Sequence, residues 1–511
     1  MAKTSVIGSL ISLTIDKEGG GPLYRQIVDG LREGIRRGQI APGTRLPSTR
    51  AIAEEYGVSR NTVLQVFDTL TSEGYLSGRV GAGTYVVDVL PEAHMLVRPQ
   101  TGGGSASTAS LGGGGDFPFR SLSRWGRNLM SSPTMGLAER PTPFMPDLPD
   151  LREFPIKTWL RALNETSGRL AGELLADTTN AGYEPLRRAI AQHLGASRGV
   201  VCDYTQVIVT TGSQQSLDLV CRLLIDPGDP VWLEEPGYTG ARAVINANGG
   251  VIQLIEVDHE GMQVDAAIAS RAVPRLVFTS PSRHYPLGAT LCLRRREALA
   301  EFARTNGVWI LEDDYDCEFR YSGYPLPAIQ SLAAGERTIY VGTFSKVLLP
   351  SFRLGYLVVP HDLAQAFATA RAVVDRHASL IEQMAISELM QRGLFAAHIR
   401  RMRNLYQERQ RRLLDGLVRM FGQPLSVPAT DTGTHLVLGL RADADDRRLC
   451  LLAAEAGVVV RSLSPYYAGR RRQQGLILGF SAFNLLEIEQ GLQRLARVAD
   501  AIRPCLAPVA A

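Results

Sequence analysis

The stretch Tyr340–Tyr356, YVGTFSKVLLPSFRLGY, decides how the chain is read. Its centre is Lys346, a lone lysine among small, hydroxylic and apolar residues, with Arg353 seven positions on. An amine held away from water is a usable nucleophile, able to form a Schiff base with an aldehyde. Thr343 and Ser345 on one side and Arg353 on the other are donors suited to a phosphate, the arginine as a planar fork. An aldehyde that carries a phosphate is pyridoxal phosphate. The same letters also fit a buried strand, Tyr340–Phe344, followed by a loop whose lysine merely snorkels to solvent. What lies elsewhere in the chain separates the two.

Working outward, Val207–Thr211 (VIVTT) runs into Gly212-Ser213-Gln214-Gln215 and then a helical Ser216–Leu224. A glycine turn at a helix N-terminus offers free N–H groups and the positive end of the dipole to a phosphate, although many strand–helix turns look alike. Tyr238 follows the apolar run Pro230–Glu234 and could lay its ring on a flat heterocycle or simply pack. Thr279–Pro286 (TSPSRHYP) is a loop after a further run, Leu276–Ser280, and holds His284. Ile310–Tyr315 (ILEDDY) closes the run Val308–Glu312. A carboxylate there can bind a protonated pyridine nitrogen, or cap a helix. These runs, with Thr338–Gly342, alternate with helical patterns and predict a sheet covered on both faces. An open α/β sheet binds ligands at its strand ends, where all these residues fall. After Tyr356 a helical region (about 363–421) leads to a smaller domain with strands near His435–Leu440, Val458–Arg461 and Gly475–Phe480.

Composition narrows the class. At 511 residues the chain suggests two or three domains, and 45% hydrophobic with 21% charged residues is globular composition. A net charge of +4 is too small for a binder driven by bulk field. The six cysteines stand far apart with no CxxC pair, which fits neither a disulfide framework nor a zinc site, so no metal is expected. Val6–Ile15 is interrupted by polar residues and reads as a strand, not a signal peptide. No run reaches the roughly 18 apolar residues of a spanning helix, and a cytoplasmic protein is expected.

The first ninety residues carry ten basic and nine acidic side chains, so pattern and not charge carries the argument there. Leu23, Ile27, Leu31 and Ile35 recur at four-residue steps, predicting a helix that Gly38 ends. Ser48 caps a short helix through Tyr56, Gly57-Val58 turns the chain, and Ser59 caps a second helix, Arg60–Ser72, with Val63, Val66, Phe67 and Leu70 inward. That is a helix-turn-helix layout, whose second helix enters the major groove by its N-terminus, bringing Ser59, Arg60 and Thr62 to DNA. Tyr75–Tyr85 reads as a hairpin wing tipped by Arg79. A small helical docking domain is the plainer alternative. Beyond it, Thr101–Gly115 (TGGGSASTASLGGGG) is flexible linker composition, either a tether that permits reorientation or a passive spacer.

The run from Pro22 to Val86 resembles the winged-helix domain of GntR-type bacterial regulators. The resemblance implies contact with double-stranded operator DNA through Arg45, Ser48, Arg50, Ser59, Arg60, Thr62, Gly81 and Gly83. From about Ser121 to Arg503 the ordered motifs resemble fold-type I aminotransferases, and the whole chain resembles a MocR-type regulator of the GntR superfamily. The fold class so implied is α/β, with a winged helix-turn-helix domain (1–88), a flexible linker (89–120) and an aminotransferase-like effector domain (121–511) made of a large and a small α/β part. By the same resemblance Lys346 forms the internal aldimine with pyridoxal 5'-phosphate. Asp313 pairs with the pyridine nitrogen, Tyr315 with the phenolic oxygen, and Tyr238 stacks on the ring. Ser213, Gln214, Thr343, Ser345 and Arg353 hold the phosphate, and His284 flanks the ring. Arg461 is a candidate for an effector carboxylate, or a strand residue bridging to a surface acid. The resemblance implies a head-to-tail homodimer sensing a small amine, an amino acid or pyridoxal phosphate itself. A working aminotransferase with an added DNA-binding domain is the alternative.

Overall fold

α1 (Leu23–Arg36) buries Ile27, Val28, Leu31 and Ile35 along one face. α2 (Thr49–Tyr56) starts at Ser48, whose hydroxyl accepts from the Ala51 N–H, and stops at Gly57, whose φ of 58° is left-handed and suits glycine. α3 (Arg60–Ser72) starts at Ser59, which accepts from the Thr62 N–H, and turns Val63, Val66, Phe67 and Leu70 inward. β1 (Leu76–Arg79) and β2 (Gly83–Val86) pair antiparallel as the hairpin. Apolar side chains from all five elements form one small core. Arg32 of α1 reaches Glu73 after α3 at 2.7 Å and ties the ends of the head together. The computed structural model describes residues 21–79, 83–87, 122–130, 141–167, 180–324, 326–332, 335–422, 427, 431–470 and 472–507. The strand expected at Val6–Ile15, the linker at 89–120 and Gly81 lie outside them.

The chain divides into two compact units, Met1–Gly115 and Asp116–Ala511. The second is built on β3 (Val207–Thr210), β4 (Pro230–Glu235), β5 (Val251–Asp258), β6 (Gly261–Met262), β7 (Leu276–Thr279), β8 (Trp309–Asp313), β9 (Thr338–Thr343) and β10 (Gly355–Val358). They form one sheet in the order β3-β10-β9-β8-β7-β4-β5-β6. β9, β8, β7, β4 and β5 run parallel, while β10 is antiparallel to both its neighbours. Val207 and Val209 of β3 belong to one hydrophobic cluster and Ile208 to another, so alternate residues feed cores on opposite faces. All five expected apolar runs are strands of this sheet. β5 escapes the apolar-run criterion because it lies next to the edge and leaves much of its surface half-buried or exposed.

The region after β10 resolves into helices His361–Asp375, Leu380–Gln391 and Leu394–Phe421, broken at Arg376 and Gly393, both at positive φ. The last packs beside the small three-stranded sheet of β11 (His435–Leu440), β12 (Arg461–Ser462) and β13 (Gln474–Gly479), ordered β11-β13-β12. The strand expected at Val458–Arg461 begins only at Arg461. Ahead of it the Val458 N–H bonds the helix-end carbonyl of Ala453, and the Val459 N–H donates to Pro143 O at 2.9 Å. The segment that carries Pro143 has taken the place of a strand partner.

Candidate cofactor site and DNA-contacting face

Five strand ends of the large sheet deliver polar residues to one cavity of about 580 Å³. β3 ends at Gly212, whose φ of 111° suits glycine, and there the helix Ser213–Leu224 begins. A Cβ at Gly212 would lie 3.5 Å from the Arg353 guanidinium, an ordinary contact, so the positive φ and not space is what calls for glycine, and the arginine stands beside the helix N-terminus. Thr343 and Ser345, after β9, line the same corner, where the Thr343 hydroxyl accepts from the Ser345 N–H at 3.2 Å. Ser213, Thr343, Ser345 and Arg353 thus bring hydroxyl and guanidinium donors to a helix N-terminus, a set whose chemistry could hold a phosphate.

The opposite wall is acidic and aromatic. β8 delivers Asp313, only 5% exposed, and its Oδ1 has no hydrogen-bond partner. Burial, together with the neighbouring Asp314 and Asp316, pushes its carboxyl up to about 7. The buried Tyr315 hydroxyl also lacks a partner. Asp314 is engaged differently: it accepts from Arg198 at 2.8 Å and from the Tyr340 hydroxyl at 2.6 Å. Of the paired aspartates, one turns to the cavity and the other fastens the sheet.

Tyr238 lines the cavity at the end of β4, and its hydroxyl donates to Gln214 Oε1 at 3.2 Å. Gln214 in turn donates to Gly240 O, so it positions Tyr238 and does not itself line the cavity. His284 is likewise outside the lining. It is 1% exposed, and its Nε2 lies 2.8 Å from Pro236 O. Burial pushes its imidazole down to about 4, so the neutral ring donates to that carbonyl and secures the loop after β4. Its neighbour Tyr285 does line the cavity, and its ring stands edge-on to Tyr238, Tyr315 and Tyr466. The loop TSPSRHYP contains both residues, and of the two it is Tyr285, not the expected His284, that lines the cavity.

Lys346 lies in this cavity with its Nζ 3.1 Å from Asp147 O and 3.4 Å from Asp147 Oδ1. Asp147 Oδ2 accepts from the Tyr285 hydroxyl at 2.8 Å and from Arg461. Arg461 therefore does bridge to an acid, though one inside the cavity and not on the surface. Asp147 was not anticipated, since nothing in PFMPDLPD marks one aspartate as special.

In the head, Arg45, Arg50 and Arg60 are exposed. Ser48 and Ser59 serve as helix caps, and the Ser59 and Thr62 hydroxyls lie 2.8 Å apart at the start of α3. Arg50 is 3.6 Å from Glu54, an exposed pair that a phosphate can displace at little cost. At Gly83, with φ 110°, a Cβ would stand 2.8 Å from Arg45 Nε, so Arg45 crosses the hairpin over bare backbone. Arg79 ends β1 opposite Gly83.

Residues 23–86 match the bacterial regulatory proteins of the GntR family, and residues 147–477 match aminotransferase class I and II. Over 483 residues, 94% of this chain and 95% of the relative, the sequence is 36% identical to the probable rhizopine catabolism regulatory protein MocR of Rhizobium meliloti. The chain belongs to the MocR-type regulators of the GntR family. As in other MocR-type proteins, a DNA-binding winged helix is joined to an aminotransferase-like domain. That domain is 30% identical over 321 residues to the 2-aminoadipate transaminase of Thermus thermophilus, covering 62% of this chain and 79% of the enzyme. The α-aminoadipate aminotransferase structure from that organism, complexed with N-(5'-phosphopyridoxyl)-L-leucine, superposes with a TM-score of 0.65 at 28% identity over 74% of this chain and 95% of its own. The family and this fold imply dependence on pyridoxal phosphate. No described helix is long and apolar enough to cross a membrane.

Proposed function

We propose that this MocR-type regulator holds pyridoxal phosphate on Lys346 and changes its grip on operator DNA when a small primary amine takes the lysine's place. The carrying observation is the pairing of two buried, unpartnered groups, Asp313 Oδ1 and the Tyr315 hydroxyl, with the Lys346 amine in one cavity. The residues fit the cofactor. Asp313 is the acceptor for a pyridinium N–H, which would satisfy the orphaned oxygen and restore an ordinary carboxylate. Tyr315 donates to the ring oxygen, and Tyr238 lies against the ring's face. Ser213, Thr343, Ser345 and Arg353 hold the phosphate. Bound there, the cofactor supplies an aldehyde that condenses reversibly with primary amines and a conjugated ring that absorbs visible light.

The response of the head follows from linkage. An amine that binds two arrangements of the protein unequally shifts their populations, and with them the fraction bound to DNA. The molecule works as a head-to-tail homodimer. Exposed Ile156 and Leu160, on the helix Ile156–Ser167, and Val373 supply apolar surface for such contact. One observation favours a second reading, a residual transaminase: the lysine and acid of the cavity are those a half-reaction needs, and enzymes are among the relatives. Fluorescence anisotropy on the DNA upstream of the gene tests the regulator. Affinity should change at least severalfold when pyridoxal phosphate or an amine is added, and Lys346→Ala should abolish the change. Unchanged affinity under every condition, with rapid keto-acid release, would favour the enzyme.

A further inference from the structure

The cavity already contains a carboxylate. Asp147 sits between Lys346 and Arg461, the amine and the guanidinium that an amino acid's two ends would otherwise address. Its backbone φ of 72° is left-handed, a conformation that is uncommon outside glycine though one that aspartate adopts more readily than most residues. The segment is held on both sides: Gly479 N–H donates to Phe144 O at 2.7 Å, and the Ser481 hydroxyl donates to Leu148 O at 2.6 Å. The segment is pinned to the small domain, and the pinning aims the side chain into the cavity. The groups facing the carboxylate are Lys346, Arg461, Tyr285 and His435. Burial alone would raise its carboxyl, but Lys346 and Arg461, helped by His435 and the Tyr285 hydroxyl, together hold it below the usual range.

We propose that Asp147 is the specificity-determining residue of this pocket and that the effector is a primary amine with no carboxylate, carrying a hydroxyl or other donor instead. The proposal rests on the cofactor reading of the Lys346 cavity. Arg461 is the guanidinium within reach of an incoming acid, and Asp147 holds it. A second carboxylate at that guanidinium would meet like charge in a half-buried site, which is repulsive discrimination against amino acids. A hydroxyl on the amine, by contrast, donates to Asp147 and leaves the ion pair standing.

The test uses a matched pair of probes, L-alanine and 2-aminopropan-1-ol, titrated into the pyridoxal phosphate-loaded full chain while the visible band is followed. Each half-shift concentration is referred to the same amine reacting with free pyridoxal phosphate. The wild type should favour the amino alcohol by about tenfold or more, the scale of one like-charge contact. Asp147→Asn removes the charge, and Asp147→Gly suits the left-handed backbone; either should reduce that preference at least about tenfold. A normal band with the same preference in all three proteins, or one that neither probe moves, would overturn the assignment of Asp147 alone. A wild type that forms no band would overturn it together with the cofactor reading.

Discussion

A carboxyl group buried beside other acids favours its neutral form, and Asp313 is in that position, with Lys346 offsetting only part of the effect. Its ordinary value near 3.8 is raised to about 7, so in the cofactor-free protein its ionisation costs stability that is absent below the ordinary value and fully present above 7. Asp313→Asn should therefore gain on the wild type as pH rises from 5 to 8, by at most about 1.4 kcal/mol per pH unit in guanidinium unfolding. A pH-independent difference would contradict the burial argument. Lys346→Ala should remove the visible band of the loaded protein while circular dichroism stays native; a band surviving in the folded variant would refute the lysine's role. The letters marked Lys346, Asp313 and Arg353 because their chemistries are rare in apolar surroundings. They could not mark Asp147, which meets Lys346 across 199 residues of chain and depends on a left-handed backbone no letter announces. Nor could they say which of the adjacent His284 and Tyr285 faces the cavity.

At the scale of elements, one helix N-terminus meets Arg353 at the corner of the cavity, and another, that of α3, is the proposed reader of DNA. Gly212→Ala would force a side chain onto a φ of 111° beside Arg353 and should weaken pyridoxal phosphate binding about tenfold or more, measured by fluorescence titration. Ser59→Ala removes the cap of α3 and should lower the head's stability by about 1 kcal/mol. Arg60→Ala, at the exposed start of that helix, should weaken operator binding about tenfold without changing the visible band. Unaltered affinity in a gel shift would count against α3 as the recognition helix. The two short helices and the buried strands were legible because capping serines, Gly57 and continuous apolar runs are local signals. β12 was not, because the backbone before it bonds Pro143, a partner more than three hundred residues away in sequence.

For the whole molecule, the proposed regulation requires that the state of one of the two compact units alter the other. The division between a DNA-binding head and a cofactor-sized cavity was readable from composition and order of motifs; the effector was not, because it depends on side chains that meet only in the folded cavity. The measurement that tests the central claim most directly is the visible spectrum of the purified protein reconstituted with pyridoxal phosphate, titrated with primary amines and followed by product analysis. A stable band that one amine shifts without accumulation of a keto product is the expected result. A folded protein that stays colourless after reconstitution would mean that the cavity around Lys346 has another purpose.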